Sequence, residues 1–220
     1  MKKASVSEFA FSGGALTRRI RQRKRPVQPR SRATVEALLE ATLQVLLTRG
    51  YAGLTTTRVA ERAGVSVGSL YQYYPDKRSL VTALKVQYFE QVVGRVAGAA
   101  RTAVGMPLRA AIAVVVRELI AVKREHRALT LALRGPLAEE GAGSFVREAS
   151  RQLTAMIVEL LVVALPGIER PALAGRILVA AIEGAVAVAV FEETELLDDE
   201  GFVAELCALA EGYLVARAVA

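Results

Sequence analysis

Two short helical blocks separated by a glycine, between Thr55 and Lys77, constrain this 220-residue chain more than any other feature. Threonine at 55–57 suits a helix start, because its oxygen accepts from the free N–H groups of the first turn. The spacing then predicts a helix at about 56–63, with Val59, Ala60 and Ala63 inward. Gly64 ends it and can take the left-handed conformation of a tight turn. Ser66 is placed to cap a second helix at about 67–74, which Pro75 closes. A longer helix precedes the pair at about 32–49, with Val35, Leu38, Leu39, Thr42, Leu43, Leu46 and Leu47 on one face and Gly50 as its stop. Two short helices joined by a glycine-containing turn form a helix-turn-helix. Ala60, Val65 and Leu70 would fill the space between them.

The remainder reads as helix throughout. A long helix starts near Asp76, with Leu80, Leu84, Val92, Val93 and Val96 on its apolar side. Further helices are expected near 107–124, 127–134, 144–164, 171–192 and 199–217. Pro107, Pro136, Pro166 and Pro171 fall between the periodic blocks, where breakers belong. No run alternates with the period of a half-buried strand, and no internal repeat is evident. The expected fold class is all-α, with a three-helix N-terminal domain and a C-terminal helical bundle. The expected segments are a basic arm over 1–30, a domain over 31–78 and a second domain over 79–220.

The net charge is +7, and its distribution is lopsided. Residues 1–80 carry 15 Lys+Arg against 5 Asp+Glu, whereas residues 81–220 carry 14 against 17. Such asymmetry points to a polyanion bound at one end. Arg18, Arg19, Arg21, Arg23, Lys24, Arg25 and Arg30 crowd into the arm, which Pro26 and Pro29 keep from forming one continuous helix. The arm either lies along phosphates or in a minor groove, or is a basic tail without specific contacts. The second short helix opens on Ser66, Val67, Gly68 and Ser69, small residues that let a helix end approach base edges and phosphates. Tyr71, Tyr73 and Tyr74 follow. Three tyrosines within four positions spread around a helix, so at least one faces outward, and Tyr74 is expected in the core.

Val65-Ser66-Val67-Gly68-Ser69-Leu70-Tyr71-Gln72-Tyr73-Tyr74-Pro75-Asp76-Lys77, preceded by Ala60-Glu61-Arg62-Ala63-Gly64, closely resembles the DNA-binding segment of the TetR-type transcriptional repressors. The specific match covers about 32–82; beyond it, helical layout and length agree. The resemblance implies a phosphate-binding role for Thr56 and a base-approaching one for Thr57. It places Val67, Gly68 and Ser69 at the base-facing start of the recognition helix, beside the cap Ser66. Tyr71 and Gln72 match positions that reach bases or phosphates, and Tyr73 and Lys77 match phosphate-binding positions. Tyr74 stands where the family often has phenylalanine. On side-chain chemistry alone, Val67 and Gly68 cannot bond a base edge, Val67 can touch a thymine methyl, and Gln72 can pair bidentately with adenine. DNA shape would then carry part of the specificity.

The resemblance further implies a homodimer on a two-fold operator, with the last two helices as interface, and an inducer pocket in the C-terminal domain. Gly184-Ala185-Val186-Ala187-Val188-Ala189-Val190 is apolar all round, which fits either a subunit interface or a fully buried core helix. Phe202, Val203, Leu206, Leu209, Ala210, Tyr213 and Leu214 give the last helix its apolar side. Tyr88, Arg117, His126, Arg134 and Glu183 are the polar residues in apolar surroundings that could line a pocket. Each could equally cap a helix, pair, or sit at the surface.

One cysteine, Cys207, allows no internal disulfide, as befits a reducing compartment. Cys207 and His126 are the sole residues of their types, so an all-protein zinc site is not expected, nor is any cofactor. No phosphate loop or catalytic cluster is visible, so an enzyme is disfavoured. No secretory signal stands at the start. The apolar stretch 177–191 falls short of the ~20 residues that span a bilayer and carries Glu183. The expectation is a cytoplasmic, ligand-responsive repressor bound to double-stranded DNA. The alternative is a nucleoid-type DNA binder without a small-molecule ligand, which a second domain lacking a cavity would favour.

Overall fold

The computed structural model describes residues 29–133 and 142–218, with side chains over 31–133 and 150–218. The helices in chain order are α1 (Pro29–Gly53), α2 (Thr56–Ala63), α3 (Val67–Tyr73), α4 (Lys77–Thr102), α5 (Leu108–Glu125), α6 (Arg127–Ala132), α7 (Ala142–Ala164), α8 (Pro171–Phe191) and α9 (Glu200–Ala218). A 3-10 turn, Thr194–Leu197, links α8 to α9. No strand occurs among the described residues, so the all-α expectation holds. The Arg-rich cluster at 18–25 and Arg134 lie outside the described residues.

The chain divides into two compact units. In the described residues the first comprises 29–90, 128–133 and 142–147, and the second 91–127 and 148–218. In the first unit, α1 begins at Pro29 rather than near 32. Proline is tolerated at a helix start because its missing N–H has no intrahelical partner there. Gly50 interrupts α1 with φ 65 and ψ 178, and one more turn follows before α2. The core comprises Leu38, Leu46, Leu54, Val59, Leu70, Tyr74 and Leu80, all fully buried. Each contributes about 1.5–3 kcal/mol by leaving water. Thr42 sits among them because its hydroxyl donates to Leu38 O at 2.7 Å.

In the second unit, α9 packs against α5 and α8. Leu161, Ile168, Ala174 and Leu214 form a buried cluster. Ion pairs dress its surface: Arg95 with Glu118 and Glu125, Arg117 with Glu200, Arg124 with Asp198, and Arg109 with Glu211. Exposed pairs of this kind add little stability each. Arg127 holds the end of α8, its guanidinium donating to Val190 O and to the Thr194 hydroxyl.

Gly175 lets α8 approach α7. A Cβ built there would stand 2.5 Å from Val158 Cγ2, and valine has no flexible end to move aside. Gly175→Ala is expected to destabilise the protein by about 1–3 kcal/mol, as overpacking does. Adding Val158→Ala should recover part of the loss, read as the denaturation midpoint of the single and double variants.

Candidate nucleic-acid interface

The turn between α2 and α3 is built by local hydrogen bonds. The Thr55 hydroxyl accepts from Arg58 N at 3.2 Å and caps α2. Gly64 is left-handed at φ 67 and ψ 29, and its N–H returns to Ala60 O and Glu61 O. Val65 N then donates to Ala60 O at 3.0 Å, which satisfies carbonyls that the helix end would leave open. Ser66 Oγ accepts from Ser69 N at 3.0 Å and caps α3. The start of α4 is fixed reciprocally: Ser79 N donates to Asp76 Oδ1 at 2.7 Å, and Asp76 N donates to Ser79 Oγ.

These caps set which face of α3 turns out. Leu70 and Tyr73 face the core, and Tyr74, just past the helix, is buried with them. Burial pushes the Tyr74 hydroxyl well above its ordinary range. Gly68, Tyr71 and Gln72 form the exposed face, with Tyr71 41 % exposed, and Val67 and Ser69 flank it half-buried. On α2, Thr57 is exposed and Thr56 half-buried. The Thr56 hydroxyl and the Tyr71 hydroxyl lie 3.2 Å apart, so the two helices present hydroxyls at one point.

Two residues sit differently from what their assigned roles suggest. The Tyr73 ring is 7 % exposed and belongs to the core of the first unit. The Lys77 ammonium lies 4.4 Å over the Tyr51 ring and 3.4 Å from Tyr51 O. Those contacts hold it partly buried in place. Sequence reasoning misses Arg49, Arg58 and Arg62, which with Gln44 line a concavity beside α1 and α2. Arg62 Nε donates to Gln44 Oε1, and Arg58 donates to Gly53 O at 2.6 Å. The i, i+4 spacing of Arg58 and Arg62 is the signal that could find them.

The second unit holds a partly open cavity of about 220 Å³. Val96, Ala100, Leu119, Ile157, Ile182 and Leu214 are among its walls, and Glu183 lines it too. Of the pocket candidates, Tyr88, Arg117 and His126 are not in that lining. Tyr88 is buried in the first unit, where its hydroxyl accepts from Thr130 Oγ1 at 3.0 Å. Arg117 is exposed and grips Glu200 with 2.6 and 2.8 Å bonds. His126 caps α5 through its backbone N–H, and its ring lies against Glu125. Cys207 is buried, and burial pushes its thiol up, opposite to what a nucleophile needs.

α8 runs 21 residues, close to the expected 171–192, and by length and composition alone could cross a membrane. One of its faces packs inside the second unit. The opposite face exposes Ile177, Ala181, Gly184 and Val188, and α9 exposes Ala208, Leu209, Gly212 and Val215. Both stripes are small and apolar, recurring at three- and four-residue spacing.

The family model described as bacterial regulatory proteins, tetR family, matches residues 38–84. The model for a tetracyclin repressor-like C-terminal domain matches residues 107–214. Over 58 residues the chain is 40 % identical to the HTH-type transcriptional repressor KstR of Rhodococcus jostii, covering 26 % of this chain and 27 % of that protein. Over 49 residues it is 45 % identical to the class C tetracycline repressor protein of Escherichia coli, covering 22 % of each. The chain thus matches about a quarter of the length of these relatives. Among solved structures, a transcriptional regulator from Pseudomonas aeruginosa superposes with a TM-score of 0.69 at 22 % identity, covering 88 % of this chain and 93 % of that one.

Proposed function

Because the chain belongs to the tetR family of bacterial regulatory proteins, we propose that it is a transcriptional repressor that binds a pseudo-palindromic operator as a homodimer and is released by a small molecule. The observation that carries this is the exposed face of α3, where Gly68, Tyr71 and Gln72 face outward on a helix fixed by caps at both ends. A helix held in this way presents that face to the major groove as a rigid edge.

In this reading 31–78 is the DNA-reading domain and 79–220 the ligand-binding and dimerisation domain. Val67, Gly68, Ser69 and Gln72 meet base edges. Thr56, Thr57, Ser66 and Tyr71 meet phosphates or nearby bases. Tyr73 contributes at most its hydroxyl, given its buried ring. Lys77 reaches a phosphate by leaving or sharing its contact with Tyr51. The cavity of the second unit supports small-molecule release over a ligand-free nucleoid role. A ligand shifts the equilibrium between DNA-competent and incompetent states only by its differential affinity for the two.

The test is fluorescence anisotropy with a duplex from the DNA upstream of the gene, against a scrambled duplex at moderate salt. Equal affinity for both would sink the proposal. Two variants then sort the contacts. Gln72→Ala should relax preference at one base pair and cost about 1–3 kcal/mol. Lys77→Ala should weaken all duplexes alike and reduce the salt slope by about 0.9. A uniform loss from Gln72→Ala would reassign that residue to the backbone.

A further inference from the structure

We propose that the cavity of the second unit selects an amphiphilic ammonium: an aliphatic body carrying one protonated amine, whose N–H donates to Glu183. The inference rests on the ligand-release reading above and names the ligand class.

Its basis is the lining itself, where Glu183 is the one charged side chain among the described residues. Glu118, Glu125, Glu200, Asp198 and Glu211 each face an arginine across the surface. Glu183 instead lines the cavity, and it makes no hydrogen bond or ion pair with another described residue. The other described lining residues are Ala, Val, Leu, Ile, Met and Gly. A carboxylate facing an apolar cavity gains most from a partner that brings both positive charge and a hydrogen. An anionic amphiphile of the same shape would meet like charge beside apolar walls.

The lining also separates kinds of cation. Among the described residues it holds no aromatic ring, so there a quaternary ammonium meets no π-face to replace its hydration. An amine that keeps an N–H can bond the carboxylate directly. The apolar walls accept a flexible alkyl chain without requiring a flat one.

The experiment is isothermal titration of the full chain with four eight-carbon probes at neutral pH: octylamine, octyltrimethylammonium, 1-octanol and octanoate. The chain has no tryptophan, so heat is a better readout than intrinsic fluorescence. Octylamine should bind more tightly than 1-octanol by about tenfold or more, as a charge-assisted hydrogen bond implies, with octanoate weakest. Glu183→Gln should bring octylamine down to the level of 1-octanol and improve octanoate. Binding of 1-octanol to that variant reports that the cavity is still folded, and Glu183→Asp should keep the order of the probes. If octanoate matches octylamine, or Glu183→Gln leaves the order unchanged, the ammonium assignment falls. Ligand release then still stands, provided the bound probes weaken duplex binding. If none of the four binds, the ammonium assignment falls, while release by a different class of small molecule is left to the duplex assay.

Discussion

Leu209→Asp is expected to turn the protein into a monomer and to lower its affinity for a full two-half-site duplex by about 10²–10⁴-fold. Leu209 is 50 % exposed on α9, in line with Gly212 and Val215. On α8, Ile177, Ala181, Gly184 and Val188 form a matching stripe. A Cβ built on Gly184 or Gly212 would meet nothing within 4 Å. The chain's own packing therefore does not require glycine at either place, although a mid-helix glycine costs about 0.5–1 kcal/mol relative to alanine. A second copy pressing its helices against both stripes supplies a reason for the small residues. An aspartate inside such an apolar contact has no cation to pair with and would have to be stripped of water. Half-site DNA separates the consequences. One reading head binds one half-site, so affinity for a half-site duplex should be unchanged in Leu209→Asp, while the gain from tethering two heads is lost. Sedimentation velocity gives the mass. A variant that stays dimeric, or that loses half-site binding to the same degree, overturns the assignment of these stripes as the interface.

The parts legible in the sequence are those whose physics is local. Thr55, Gly64, Ser66 and Asp76 act on atoms one to four residues away, so the sequence fixes their geometry without knowledge of the rest of the fold. The three tyrosines are legible for the same reason. Helical spacing alone requires that they diverge, and Tyr71 faces out while Tyr73 and Tyr74 face in. Long-range partners are not legible in this way. The contact between Lys77 and Tyr51 joins positions 26 apart, and that between Arg117 and Glu200 joins positions 83 apart. From the sequence, Arg117 is simply a charge in an apolar helix. Only the packing of α9 against α5 turns it into a surface ion pair. Glu183 shows the same pattern with a different outcome, because among the described residues no arginine pairs with it. The start of α1 at Pro29 and its interruption at Gly50 were hidden for a third reason. A proline or glycine near a helix end permits several boundaries, and tertiary packing chooses among them.

Gly68 should respond in opposite directions to the two properties that matter for this protein. It lies in the first turn of α3, exposed, with a backbone φ that any residue can adopt, and a built Cβ would stand 3.7 Å from Ser66 Oγ. That is ordinary contact, so the fold has room for a side chain. Gly68→Ala is accordingly expected to stabilise the free protein by up to about 1 kcal/mol, because alanine loses less backbone entropy on folding. The same methyl group would stand between α3 and the base edges, so affinity for the specific duplex should fall while affinity for scrambled DNA changes little. Gly68→Glu keeps the fold on the same grounds but sets a carboxylate against the phosphates and base acceptors of the groove. Like charges brought together at an interface cost several kcal/mol, a loss of at least about a hundredfold in specific affinity. Calorimetric melting of the free variants, beside anisotropy with specific and scrambled duplexes, reads both effects. If Gly68→Ala melts lower than the parent, the glycine serves the fold and not the DNA. If Gly68→Glu binds the duplex as well as the parent, α3 does not enter the groove by this end. The combination of a more stable protein and a weaker specific complex from one methyl group is what a backbone reserved for close approach by DNA predicts, and neither a structural glycine nor a neutral surface position would produce it.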